Sequence, residues 1–561
     1  MSDIILIQPP IRDFYLTAKR TIPYGLACIA GTLIKEGYSV EILDALASTR
    51  SKKAELPPEL SFLQDFYSGP DISPFSLFHD FKRFGLSDEA ISERVQNSDA
   101  FLVGISSLFT PYSSEAIRIA EVVKRLLPQA VTVLGGHHPT EMPEEVLKHD
   151  CVDFIIRGEG EISMALLARA IRGDISIESV PGVGFKTLSE KSEKSGKFFI
   201  SPPAVLANLD ETALPASGLI DSHFYQRSKR PCAVIAAGRG CPMGCSYCSI
   251  GCSTWCGFRM KSVNRVIEEM KQAVFGVGAR FIDFEDENIS CRRQWFLELL
   301  NEIVVQFRGC GLELRAMNGL FPPTLDDEVI CAMKAAGFTA LNLSLCTTCL
   351  DQLKKFRRPD VRHEFERSLL SAEKYGIEAV AYIIVGAPGQ DPQDSLADLL
   401  YLADKKAIAG VSVFYPAPGS ADFQKCTALN ILPSSLAQLR STALPISDTT
   451  TRRDSITLLR LGRILNFFKS LDSAEKKEVL NLAGEHPLKP GADKISLFDA
   501  ACALDNHAAK RRAIGKALLG IFLRDGVVYG VSKQGHLFPH LVSKPLCLEF
   551  GKRLQRLFRQ D

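Results

Sequence analysis

Arg239-Gly240-Cys241-Pro242-Met243-Gly244-Cys245-Ser246-Tyr247-Cys248 places three cysteines in one short loop, spaced C-x3-C-x2-C. The loop follows an apolar stretch, residues 232–237, that reads as a strand. Closely spaced thiolates wrap iron–sulfur clusters. Three of them would leave one iron of a four-iron cube without a protein ligand. An open coordination position is where a metal site takes its substrate. The alternatives are a zinc knuckle or a scatter of reduced thiols. Zinc usually takes four ligands from paired Cys or Cys/His units, and this run supplies three.

The strand before the cysteines opens a series. Further strands are expected at 281–284, 313–315, 340–345, 379–385 and 410–414, with helices at roughly 263–275, 292–307, 326–336, 364–375 and 395–404. Six strand–helix units with short loops predict a partial (β/α)6 TIM-like barrel, whose chemistry would sit on the loops after the strands. The cysteine run occupies the first of those loops. Upstream, strands at 4–8, 39–43, 100–105, 130–134 and 153–156 alternate with helices at 25–35, 114–126, 143–148 and 162–171. That alternation predicts an α/β, Rossmann-like, doubly wound parallel sheet that binds ligands at the carboxyl ends of its strands. Residues 46–98 break the pattern and read as an insertion, and 182–200 reads as a hairpin with a polar turn at 189–196. The expected division is 1–200 for the Rossmann-like domain, 201–231 for a linker, 232–420 for the barrel and 421–561 for a small α+β C-terminal capping or substrate region. In that last region helices are expected at 450–471 and 510–524 and a strand pair within 526–542, and no functional motif is legible.

Composition bounds the function classes. The chain has 561 residues, 46% hydrophobic and 23% charged, an ordinary globular balance. A net charge of +1 gives no general attraction to nucleic acid or anionic membrane. No apolar stretch reaches transmembrane length and the start lacks a signal-peptide plan, so a cytoplasmic protein is expected. The 16 cysteines are then expected to be reduced, and a cluster of them points to metal or catalysis rather than disulfides.

The loops behind the first strand series are Pro9-Pro10, Ser106-Ser107, Gly135-Gly136-His137-His138-Pro139 and Arg157-Gly158-Glu159-Gly160-Glu161. Their glycines allow close backbone approach to a bulky, phosphate-bearing ligand. Each taken singly reads as readily as an ordinary turn, and the histidines as chain hydrogen-bonders. Behind the second series stand Glu285-Asp286-Glu287-Asn288, Arg315, Ser344, Arg357-Arg358 and Val385-Gly386-Ala387-Pro388-Gly389. Carboxylates there suit an ammonium group, or simply a helix N-terminus, and the arginines suit a carboxylate. Cys252, Cys256, Cys346 and Cys349 read as reduced thiols rather than a second cluster, since buried cysteine behaves as a small hydrophobe.

The C-x3-C-x2-C run with Tyr247 before its last cysteine resembles the radical S-adenosylmethionine superfamily. The first loop set, with Pro23-Tyr24-Gly25-Leu26 ahead of it, resembles the cobalamin-binding domain joined to one large class of that superfamily. Together the resemblances span residues 1 to about 420. They imply a [4Fe–4S] cluster on Cys241, Cys245 and Cys248, whose open iron chelates S-adenosylmethionine and whose electron yields a 5′-deoxyadenosyl radical. They imply S-adenosylmethionine contacts from Tyr247, Glu285, Asp286, Ser344, Arg357, Arg358 and Gly386. They imply a cobalamin site at Ser106, Ser107, Gly135, Gly136, His137, Gly158, Glu159 and Gly160. An Asp-x-His-x-x-Gly motif is absent, so the cofactor is expected with its own base displaced. The class often carries Glu-Ser-Gly-Ser-like residues after the fourth strand, where this chain has Leu345-Cys346-Thr347-Thr348-Cys349. The implied reaction is methyl transfer to an unactivated carbon of a small or lipid-like metabolite. A low-potential donor such as flavodoxin or ferredoxin would feed it, with no nucleic-acid partner and no integral membrane segment. No further catalytic side chain is assigned. The rivals are a radical cyclase or rearrangement enzyme with the same cofactors, and a non-catalytic corrinoid or Fe–S redox sensor.

Overall fold

Ile4-Ile5-Leu6-Ile7 is apolar on both sides of the pleat, the pattern of a strand buried between two helix layers. In the computed structural model, which describes residues 2–15, 21–67, 69–78, 80–187, 197–252, 255–484 and 506–559, this stretch is the interior strand β1 (Ile4–Gln8). It lies between β2 (Val40–Asp44) and β3 (Leu102–Ser106), and β4 (Val131–Gly135) and β5 (Phe154–Ile156) follow. All five are parallel, in the order 2-1-3-4-5. The winding reverses between β1 and β3, which opens a crevice outside their carboxyl ends, Gln8 and Ser106. The antiparallel strands β6 (Val183–Thr187) and β7 (Lys197–Ile200) extend the sheet as the predicted hairpin. The predicted polar turn at 189–196 lies outside the described residues.

Two apolar layers cover this sheet. Helices Tyr24–Lys35 and Gly160–Ile171 bury Leu26, Ala30, Met164 and Leu167 on one face. On the other, Ser113–Leu126 and Asp88–Gln96 bury Ile119, Val123, Ile91 and Val95. The Asp88–Gln96 helix corrects the expected insertion. It is the crossover between β2 and β3, started by Ser87, whose hydroxyl accepts from the Ala90 amide at 3.3 Å. The rest of the interruption packs elsewhere: Leu60, Leu63, Phe75 and Phe81 enter the core of the second unit.

That unit holds β8 (Arg230–Ile235), β9 (Phe281–Phe284) and β10 (Glu313–Arg315), parallel to one another. It also holds β11 (Ala340–Cys346), β12 (Glu378–Val385) and β13 (Ile408–Val413), likewise parallel. Between β10 and β11 the sheet thins to isolated parallel bridges, Leu314–Phe338 and Leu320–Leu343. Among the described residues no pairing joins β13 back to β8, so the six strands form an open, partial barrel. Ile282, Phe284 and Leu314 face the outer helices in the core. Strand alternation then turns Phe281, Asp283 and Arg315 to the inside.

The C-terminal helices Arg452–Ser470, Ser473–Gly484, His507–Asp525 and Lys544–Arg559 accompany a small hairpin, Tyr529–Val531 with Leu537–Pro539. Thr451 and Asp454 form a reciprocal capping box at the start of the first. Ile456, Leu461, Phe468, Leu519 and Phe550 belong to the same apolar core as the barrel. Polar ties run from the 46–87 segment to this region: the Tyr67 hydroxyl donates to the Thr442 carbonyl at 2.7 Å, and His540 meets Asp71 at 3.0 Å. The boundary expected at 420 is therefore no break in the packing. No helix among the described residues is long and apolar enough to cross a membrane.

Candidate functional site

A cavity of about 300 Å³ lies at the carboxyl ends of β1, β3, β4 and β5. Ser106, Gly135, Gly136, Gly158, Glu159 and Gly160 line it, and Arg239 and Glu285 of the barrel close its far wall. Two glycines are required by the backbone. Gly136 has φ +120°, and a Cβ there would stand 2.8 Å from the Ser107 carbonyl oxygen. Gly158 has φ +79°, and its Cβ would stand 2.3 Å from the Ala204 oxygen. Only glycine takes such positions without strain. Ser107 is buried beside an adjoining, smaller cavity that it shares with Gln8 and Ser106, and its hydroxyl has no protein partner among the described residues.

His137 does not line the main cavity. Its Nε2 lies 2.8 Å from the Ser249 hydroxyl, so it ties the first domain's loop to the helical turn just after the cysteines. His138 is buried, with Nδ1 3.3 Å from the Thr110 hydroxyl.

The Arg157–Glu161 loop docks the two units. Glu159 accepts from Arg259 at 2.6 Å and from the Leu206 amide at 2.5 Å. Glu161 pairs with Arg239, the residue that leads into the cysteine loop. Burial alone would raise the Glu161 carboxyl, and the Arg239 guanidinium holds it below the ordinary range. Tyr24, also on the cavity wall, donates to Glu269 at 3.0 Å. Lys261 donates to both, at 3.0 Å to Tyr24 and 2.6 Å to Glu269. The Pro23-Tyr24-Gly25-Leu26 stretch thus anchors on the barrel.

Cys241, Cys245 and Cys248 are free thiols. Left-handed glycines, Gly240 at φ +78° and Gly244 at +63°, bend the loop around them. Gly251 leaves a cradle open, since a Cβ there would come within 3.2 Å of the Gly244 and Cys245 amides. Burial raises the Cys241 thiol to about 11, and the thiols of Cys245 and Cys248 push the same way. Burial also raises Cys248, with Cys245 adding to it. These mutual effects reflect how near the three thiols stand to one another on the bent loop. No group of three or more His, Cys, Asp or Glu side chains among the described residues is spaced for a single metal ion. A four-iron cluster is a larger object, and three soft thiols on a glycine-bent loop fit it.

The surroundings sort the other expected residues. Asp286 accepts from the amides of Ala237 at 3.0 Å and Gly238 at 2.6 Å, so its carboxylate holds the turn into the cysteine loop. Glu285 faces the cavity between the domains. Glu287 is the acid of this stretch whose charge reaches Cys241 and Cys248. Burial raises its own carboxyl to about 7. Three acids in a row share one spacing, so the sequence does not distinguish the one whose charge reaches the sulfurs.

Tyr247 sets its ring edge-on to Phe356, with centroids 5.0 Å apart. Arg358 donates to Cys245 Sγ at 3.8 Å and to the Ser344 carbonyl and hydroxyl at 3.0 and 3.2 Å. Arg357 is exposed, at a left-handed φ of +55°, and its charge reaches Asp422, which accepts from the Ser246 hydroxyl of the cluster loop at 2.9 Å. Of the two arginines Arg358 is the one bonded to a cysteine sulfur of the loop. The open face of Gly386 meets Ser455 and Thr450, at 3.0 Å and 3.6 Å from a Cβ built there, so close packing explains that glycine. Cys256, Cys346 and Cys349 each have a separate partner: Arg259 at 3.5 Å, Tyr247 at 3.9 Å and Asp394 at 3.4 Å. The side chain of Cys252 lies outside what the structure describes.

Family models match two stretches of the chain, the B12 binding domain over residues 77–168 and the radical SAM superfamily over residues 235–400. The chain carries a B12-binding domain followed by a radical SAM domain. The B12 match begins after β1 and β2, which complete the sheet from outside the matched span. The radical SAM match ends before β13. An uncharacterised methyltransferase of Pyrococcus horikoshii is 24% identical over 438 residues, covering 76% of this chain and 84% of the relative. An anaerobic magnesium-protoporphyrin IX monomethyl ester cyclase of Rubrivivax gelatinosus is 27% identical over 321 residues, 55% of each chain. A solved structure of the radical S-adenosylmethionine methyltransferase TsrM from Kitasatospora setae, with cobalamin and a [4Fe–4S] cluster bound, covers 93% of this chain and 99% of its own. It superposes with a TM-score of 0.59 at 17% identity, which is a likeness of fold.

Proposed function

We propose that this radical SAM protein is a cobalamin-dependent methyltransferase acting on an unactivated carbon of a small or lipid-like molecule. The observation that carries the reading is the single cavity walled by the B12-domain loops on one side and by Arg239 and Glu285 on the other. Arg239 stands two residues from Cys241, and Glu285 follows β9, so the corrinoid side and the cluster side share a wall. When bound, the cluster with S-adenosylmethionine supplies a carbon-centred radical and the corrinoid supplies a transferable methyl group.

The chain's own residues bind and align. Cys241, Cys245 and Cys248 hold the cluster. Ser344 and Arg358 stand beside it and suit the methionyl carboxylate, and Glu287 suits the ammonium group. The Glu161–Arg239, Glu159–Arg259 and Tyr24–Lys261–Glu269 contacts fix one unit against the other, so the reacting centres meet without a search. A low-potential one-electron donor completes the reading.

S-Adenosylmethionine bearing a deuterated methyl group tests it under anaerobic, reducing conditions. Labelled product, with 5′-deoxyadenosine and S-adenosylhomocysteine, is expected. An altered but unlabelled product would favour cyclisation or rearrangement, the chemistry that the Rubrivivax relative's name describes. Absence of 5′-deoxyadenosine would favour a non-catalytic sensor. The S-adenosylmethionine contacts have their own test in equilibrium binding. Loss of a charge-assisted hydrogen bond costs roughly 1.5–3 kcal/mol, so Glu287→Gln and Arg358→Gln should each weaken binding about ten- to a hundredfold. Arg357→Ala should weaken binding less than Arg358→Gln, since that side chain is exposed.

A further inference from the structure

We infer that Arg358 sets the reduction potential of the cluster through its N–H···S bond to Cys245. The inference rests on the reading that Cys241, Cys245 and Cys248 hold that cluster. Arg358 is fixed from several sides. Nη1 donates to Cys245 Sγ at 3.8 Å, and Nη2 donates to the Ser344 carbonyl at 3.0 Å and its hydroxyl at 3.2 Å. The guanidinium lies over the Phe321 ring, 5.1 Å from its centroid. Nε is buried and has no partner among the described residues. Each terminal nitrogen therefore has a protein partner, and one of those partners is the sulfur of a cluster-ligand cysteine.

The local fold makes this contact deliberate. The helix Leu350–Lys355 ends, and Arg357 takes a left-handed φ of +55°. That turn brings Arg358 back toward the cysteine loop. The same turn receives the loop itself: the Ser246 amide donates to the Phe356 carbonyl at 3.1 Å, and Tyr247 packs edge-on against the Phe356 ring. Cluster loop and guanidinium are thus held on one short segment. Burial opposes a charge on Arg358, and Tyr247, Cys346 and Cys245 more than offset it.

The electrostatic consequence has one sign. The cluster gains one electron from its donor and no bond is made or broken, so the reduced form carries one more negative charge. A fixed cation and a hydrogen bond to a ligand sulfur both favour that form. Arg358 accordingly raises the potential, easing reduction by the donor. As a positioning residue it acts through Cys245, whatever Nε contributes to S-adenosylmethionine.

The test is a redox titration followed by electron paramagnetic resonance, on the full chain reconstituted anaerobically and without S-adenosylmethionine. Iron and sulfide are assayed alongside. In Arg358→Gln the midpoint should move negative by about 59 mV or more, a tenfold fall in the ratio of reduced to oxidised cluster at fixed potential. Arg358→Lys, which keeps the charge but loses the fork, should show a smaller negative shift, and it carries the test if the glutamine variant fails to load. An unchanged midpoint in a fully loaded variant overturns the inference, as does weaker S-adenosylmethionine binding with no change in midpoint. Wild-type protein that takes up no four-iron cluster refutes the cluster reading, and the inference falls with it.

Discussion

Replacing Cys241, Cys245 and Cys248 together with alanine should abolish both cluster loading and 5′-deoxyadenosine formation. The three sulfurs sit on one loop bent by left-handed Gly240 and Gly244, and each of Cys241 and Cys248 is raised by a neighbouring thiol as well as by burial. Thiolate charge that burial disfavours becomes favourable once iron is bound, so the site is built for metal rather than for free thiols. Iron content should fall to background, and reductive cleavage of S-adenosylmethionine should fall to the uncatalysed level. Cys349→Ala should keep both, because that sulfur donates to Asp394, away from the loop. Full iron loading in the triple variant would show that other residues hold the cluster.

Most of the architecture is legible in the sequence because it is written in local periodicity. Short apolar runs bounded by glycine and proline gave strand positions that the structure moves by a residue or two, as at β8 and β13. The segment after β2 was harder. Its helix Asp88–Gln96 exposes a polar face and buries Ile91 and Val95, too few apolar positions to stand out among aromatics and prolines. The aromatics around it look like insertion because their partners are far away in sequence: Phe75 packs on Phe467, and Tyr67 reaches Thr442. The same limit governs the site. A cysteine spacing identifies its own loop, since all the ligands are local. Which of Glu285, Asp286 and Glu287 faces the sulfurs depends on the Ala237–Gly238 amides that capture Asp286, a contact across the barrel strands. His137 likewise meets Ser249, more than a hundred residues on, and no local pattern announces that pairing.

Lys261→Met should destabilise the apo protein by about 3–5 kcal/mol, the cost of leaving a buried charge without its partner. The side chains of Lys261 and Glu269 are 6% and 3% exposed and 2.6 Å apart, and the Tyr24 hydroxyl completes the triad. Arg265 offers Glu269 a weak substitute at 3.9 Å, which places the expected cost toward the lower end of that range. The triple variant Tyr24→Phe/Lys261→Met/Glu269→Leu removes every polar member at once. Stability should return close to wild type, because apolar side chains of similar volume replace a buried pair without an orphaned charge. Denaturant midpoints followed by circular dichroism read both effects. The two variants also separate folding from function. Tyr24 stands on the cavity wall, and the triad is what ties it to the barrel. The triple variant should therefore fold with near-native stability yet retain less corrinoid after anaerobic gel filtration. Equal retention would show that the triad serves folding alone. A stable triple variant with a loosened cofactor would show that the polar contact was kept to hold one domain in register against the other, a role that apolar packing does not fill.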